Sequence, residues 1–236
     1  MAAGKLQAVD LHLDQPETFA RLDPFLAAWN GEVDVLINNA GYGLLGPLCL
    51  TSMKELRSEF EVNFFGAMGL TQKLLPGLEK SGGRIINLSS VIGVVTMPLY
   101  GAYSASKFAL EAASEAMAYE LRPKGIDVCL VEPGGFKTGF GTSYQRPEAT
   151  RAKGGPGHEQ MNAFNKKVFE QTEAVQGNPR RVASLLVRLA EKRSVKLRYL
   201  IGPDARALAF AARFLPRRLM RGVLRLAFRD VLLIQN

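Results

Sequence analysis

Three short apolar runs, separated by long helical stretches, constrain this chain more than any other feature. They are "VDVLINN" (33–39), "GRIINLSS" (83–90) and "IDVCLVEPG" (126–134). Their apolar residues follow one another with little alternation, the pattern of strands covered on both faces. Between the first two lies "SMKELRSEFEVNFFGAMGLTQKLLPGLEKS" (52–81), an amphipathic helix expected to end near Pro76–Lys80. Between the second and third lies "YSASKFALEAASEAMAYELRP" (103–123), a strong helix stopped by Pro123 and Gly125. Strands alternating with helices imply right-handed crossovers and a parallel sheet. The remaining segments extend the pattern. Residues 6–13, "LQAVDLHL", read as a strand, and 16–30 read as helical with Pro24 as an interruption. Helical patterns return at 158–175 and 178–192, and "KLRYLIG" (196–202) reads as a last strand. Residues 134–157, rich in Gly, Pro, Thr and Ser, read as a mobile loop.

Composition removes several function classes. The 236 residues, 47% apolar and 22% charged, suit one globular core. No run approaches the roughly 18 apolar residues that span a bilayer, and no basic-then-apolar leader opens the chain. Cys49 and Cys129 fit no metal spacing and read as buried thiols in a reducing, cytoplasmic compartment. His12 and His158 are the only histidines, which argues against a histidine metal site or a Ser-His-Asp triad; the expected metal complement is none. The net charge of +8 is concentrated late, with seven arginines from Arg206 to Arg229 in a pattern that does not suggest base stacking. Nucleic acid is therefore not an expected partner.

One motif misleads. Gly41-x-Gly43-x-x-Gly46 follows a strand and has the spacing that cradles a dinucleotide pyrophosphate. Pro47 follows it, the helix begins only near Ser52, and no acid lies about 20 residues on, where the fingerprint needs one. Better chemistry lies further along. Tyr103 and Lys107 are four apart and share a helix face. A phenol has a pKa of about 10, and a nearby ammonium favours its phenolate. Ser90 closes a strand, where a hydroxyl can meet a ligand above the carboxyl ends of a parallel sheet. Asn63 sits inside a helix, where Asn needs a reason. Pro133, Gly134 and Thr138 follow the third strand in a shape suited to backbone contacts with a ligand. Each has a plain alternative when taken alone: a solvated helical pair, a polar strand end, a side chain bonded to its own helix.

Together, "NNAG" (38–41), Asn63, Ser90, "YSASK" (103–107) and "EPGGFKT" (132–138) resemble the short-chain dehydrogenase/reductase family, in its order and approximate spacing, over residues 6 to about 202. "SSVIG", "YSASKFALEAASEAMAYEL" and "VEPGGFKT" are similar to the branch of steroid, retinol and related lipophilic-alcohol dehydrogenases. The resemblance implies an α/β fold, a Rossmann-like doubly wound parallel sheet. It implies hydride transfer between NAD or NADP and a small lipophilic alcohol or ketone. In it Tyr103 is the acid/base, Lys107 holds the nicotinamide ribose and lowers the Tyr103 pKa, Ser90 polarises the substrate oxygen, and Asn63 anchors a relay water. Asp10 takes the adenine-contacting position, and Asn39, Ala40 and Gly41 lie near a ribose. Pro133, Gly134, Phe136 and Thr138 meet the carboxamide and phosphates. "YGLLGPLCL", the 134–157 loop with Phe136, Phe140 and Tyr144, and the following helix form the substrate wall. A homo-oligomer is expected.

The family's glycine loop, T-G-x-x-x-G-x-G, has no counterpart here. Against the family's order, the chain starts just before the third strand, so the first two strands and first helix are expected to be missing. Weak cofactor binding is one expected consequence; a partnerless or displaced 6–13 strand is another. A non-catalytic scaffold is the competing reading. The expected division is a Rossmann-like domain at 1–203 and a basic amphipathic helical tail at 204–236. Within the tail, Pro216 suits a first helical position. Arg217, Arg221, Arg225 and Arg229 form a stripe opposite Leu219, Met220, Val223, Leu224, Ala227, Phe228 and Val231. Such a helix can lie on an anionic membrane, giving peripheral contact, or can pack on the domain or a second subunit.

Overall fold

The computed structural model describes residues 6–140, 144–170 and 176–234. In chain order the regular elements are α1 (Asp23–Ala28), β1 (Val35–Asn38), α2 (Met53–Phe60), α3 (Ala67–Ser81), β2 (Arg84–Leu88), α4 (Gly101–Glu120), β3 (Asp127–Pro133), α5 (His158–Asn165), α6 (Arg180–Glu191), β4 (Arg198–Ile201), α7 (Pro203–Phe214), α8 (Arg217–Ala227) and α9 (Arg229–Leu232). The four strands form one parallel sheet in the order β1-β2-β3-β4.

Strand periodicity divides the core. Ile85 and Val128 join Leu36, Leu74, Leu78 and Leu121 in one cluster. Their neighbours Ile86 and Cys129 join Val131, Leu189 and Ile201 in another. Successive strand residues point to opposite faces, so a sheet covered on both sides needs the unbroken apolar runs seen in the sequence. A third cluster gathers Val91, Tyr100, Tyr103, Met161 and Phe164 with Ala205, Phe228 and Val231. The C-terminal helices thus share a core with the residues beyond the sheet.

The expected 52–81 helix starts as the sequence implies. Ser52 and Glu55 form a capping box, with Glu55 N–H donating to Ser52 Oγ at 3.2 Å and Ser52 N–H donating to Glu55 Oε2 at 2.9 Å. It then widens into a π-helical stretch, Glu61–Gly66, before α3 continues past Pro76 to Gly82. Gly82 has φ of 63°, the left-handed conformation that ends helices at glycine. Pro24 does break the 16–30 segment, dividing a 3-10 helix, Pro16–Leu22, from α1. The expected 158–175 helix is α5 followed by a π-helical stretch, Lys166–Glu170; residues 171–175 lie outside the described residues. In the 134–157 loop, residues 141–143 also lie outside them.

Two expectations are corrected. Residues 6–13 form no strand. β1 is the sheet edge and pairs only with β2; the segment does not add to its open side. It is held instead by His12 N–H donating to Thr18 Oγ1 at 3.1 Å and by Leu13 packed on Gly66. Cys49 is exposed on a short turn, Leu48–Leu50, whereas Cys129 is buried in β3 as expected.

Candidate active site

A cavity of about 940 Å³ opens beyond the carboxyl ends of the strands. Three elements bring the chemistry to it. Ser90 lies just past β2, Tyr103 and Lys107 project from the first turns of α4, and Pro133 and Gly134 leave β3; all five line the cavity. Asn39, Gly41, Phe136 and Thr138 line it too, while Asp10, Ala40 and Asn63 do not.

Tyr103 is buried and lines the cavity together with the Ser90 hydroxyl. Burial pushes its phenol above the ordinary value of 10; the neighbouring Ser90 hydroxyl opposes this and the Glu59 charge adds to it. Lys107 is not among the groups acting on this phenol, and desolvation of the phenolate dominates, so the expected lowering is not found. Lys107 Nζ lies 5.9 Å from the Tyr103 ring centroid and donates to the Leu88 carbonyl at 2.9 Å. Burial brings the Lys107 ammonium down to about 8, with Glu59 and Glu111 pulling the other way. Ser90 is fixed as well, its Oγ accepting from Ile92 N–H at 3.2 Å.

Asn63 stands in the π-helical stretch, a distortion often found at functional sites. Its Nδ2 donates to the Tyr42 carbonyl (2.8 Å), Glu59 Oε1 (2.9 Å) and Ser106 Oγ (3.1 Å), and its Oδ1 accepts from Tyr42 N–H at 3.0 Å. The side chain is thus spent on the loop after β1. A Cβ on Gly41 would sit 2.8 Å from Asn63 Oδ1, so glycine is what allows this approach. Gly43 and Gly46 have different reasons: Phe140 and Pro147 pack where their side chains would be. The glycine spacing of that loop thus reports packing.

Two acids were not singled out from the sequence. Glu59 has no exposed surface; its Oε2 accepts from Leu44 N–H at 2.8 Å, and burial lifts its carboxyl to about 7. Its sequence signal is an acid one helical turn before Asn63. Asp204, near the start of α7, accepts from Gly135 N–H at 2.5 Å and fills the space beside Gly134. Asp10 is placed elsewhere, exposed and ion-paired with Arg21 at 3.1 Å.

The nicotinamide cofactor implied by the family fits part of this site. Ser90, Tyr103 and Lys107 converge in a cavity large enough for a ring and ribose, and the Gly135 amide holds an anionic oxygen. Among the described residues no glycine-rich strand-to-helix turn stands ready for a pyrophosphate.

Comparison with known proteins identifies the family. A family model for short chain dehydrogenases matches residues 4–149. The 3-ketodihydrosphingosine reductase of Bacteroides thetaiotaomicron is 37% identical over 202 residues, 84% of this chain and 74% of that protein. A solved short-chain dehydrogenase from Streptomyces avermitilis has 31% identity and a TM-score of 0.74, covering 95% of this chain and 79% of that one. Another, from Burkholderia cenocepacia in complex with NADP, has 25% identity and a TM-score of 0.67, covering 92% and 77%. With its parallel sheet and the Ser90, Tyr103 and Lys107 constellation, the chain belongs to the short-chain dehydrogenase family.

Proposed function

We propose that this protein transfers a hydride between NAD or NADP and a carbonyl or secondary alcohol of a lipophilic small molecule. The observation that carries this reading is the convergence of Ser90, Tyr103 and Lys107 on one cavity at the carboxyl ends of β2 and β3. The cofactor supplies or accepts the hydride when bound. The side chains handle the proton. With its pKa raised, the Tyr103 phenol carries its proton at neutral pH and can donate it to a substrate carbonyl oxygen. Ser90 hydrogen-bonds that same oxygen. Lys107 stabilises the phenolate that results, and the buried, water-poor surroundings favour its reprotonation. Asn63 and Glu59 hold the loop after β1 in place behind the site.

A lipophilic substrate suits the walls, which include Ile92, Met97, Tyr100, Phe140, Phe169 and Phe228. The relative named for 3-ketodihydrosphingosine supports the same class. Exposed Phe108 and Tyr119 on α4 support a homo-oligomer, and the two free cysteines a cytoplasmic location. A panel of ketones of graded hydrophobicity, assayed with NADH and NADPH, tests the substrate class. Efficiency should rise with chain length; preference for charged sugars would refute it.

A further inference from the structure

The C-terminal helix α8 carries two apolar stripes, and only one has a partner. Met220 packs against the cluster that contains Tyr103 and Phe164, and Phe228 and Val231, just beyond α8, are buried in it. Leu219, Val223 and Leu226, spaced by four and three residues, face outward with exposures of 57%, 56% and 72%. The preceding helix adds Phe210 and Phe214, both exposed, their rings 4.6 Å apart. Arg217, Arg218, Arg221 and Arg225 are exposed along α8. Among the described residues, none of the seven arginines from Arg206 to Arg229 ion-pairs with a carboxylate. Asp230, the neighbouring acid, is taken by Lys167 at 2.8 Å. No helix is long and apolar enough to cross a membrane.

We propose that α8 lies flat on an anionic membrane surface. Leu219, Val223 and Leu226 seat at the acyl boundary and the flanking Arg218 and Arg225 rest on headgroup phosphates. Contiguous exposed apolar residues mark an interaction surface, and a strongly amphipathic, arginine-rich helix is suited to the lipid interface. Charge chooses the occupant. Arg218 and Arg225 flank this face, so two copies meeting through it would bring those arginines together with no acids between them, whereas anionic lipid complements them. Leu208 of α7 and Phe228 also line the cavity, so the docked helices would set its wall beside the lipid. This surface does not depend on the catalytic reading.

Co-sedimentation of the whole chain with vesicles tests it. The lipids are phosphatidylcholine alone and phosphatidylcholine mixed with phosphatidylserine. Binding to the mixed vesicles should exceed binding to the neutral ones by at least roughly tenfold at low salt, and should weaken at high salt as charges are screened. Substituting Leu219→Ser, Val223→Ser and Leu226→Ser together should remove most of that binding with an unchanged melting curve, since these side chains face solvent. A triple change, Arg218→Glu, Arg221→Glu and Arg225→Glu, should do the same. Indifference of the intact chain to anionic vesicles would overturn the proposal. So would full binding by the serine variant, which would mean adsorption by charge without seating. A concentration-dependent dimer abolished by the serine variant, with no vesicle binding, would assign the face to a second copy.

Discussion

Asp204 occupies the backbone amide that, in the proposed function, would receive a cofactor anion. Its carboxylate takes the Gly135 N–H at 2.5 Å and lies where a Gly134 side chain would be. A cofactor phosphate arriving there meets a like charge. Asp204→Ala should therefore raise NADPH affinity, by up to roughly tenfold if about 1.4 kcal/mol of repulsion is relieved. Calorimetric titration of the two proteins measures it, and a weaker complex in the variant would mean that the carboxylate helps to hold the ligand. Ser90, Tyr103 and Lys107 were legible in the sequence because strand ends and helical spacing place side chains predictably. Glu59 and Asp204 were not. Each owes its role to a backbone amide supplied by the tertiary fold, Leu44 at 15 residues' separation and Gly135 at 69. Asn63 was legible as an anomaly, but its use in bracing the loop after β1 needed the structure.

Among the elements, those with continuous apolar runs were read correctly because such a run reports burial on two faces. Residues 6–13 have a similar composition but no neighbouring strand, and a strand exists only through its partner. The π-helical stretch was hidden too, since "EVNFFG" fits an ordinary helical pattern.

The whole molecule stores protons in its interior. Burial raises the Glu59 and Glu132 carboxyls from 4.5 to about 7, and neither side chain has much exposed surface. In that window the folded chain binds protons that the unfolded chain has released, so stability is fully present below pH 4.5 and is lost as pH rises towards 7. Each shift is worth up to about 3 kcal/mol. Melting temperatures should fall from pH 5 to pH 7.5, and Glu59→Gln or Glu132→Gln should flatten the fall; a rising curve unaffected by either would refute the assignment. Lys107, lowered to about 8, acts in the opposite sense above that pH, where the unfolded chain keeps a proton that the fold has given up. The central claim is that these buried groups surround a hydride-transfer site worked by Tyr103. It is tested most directly by following cofactor oxidation at saturating NADH or NADPH with a long-chain aliphatic ketone, for the natural chain and for Tyr103→Phe. The natural chain should oxidise cofactor, and the variant should be slower by at least roughly 100-fold with an unchanged melting temperature. Equal rates in the two proteins, or no oxidation by the natural chain with any ketone, would contradict it.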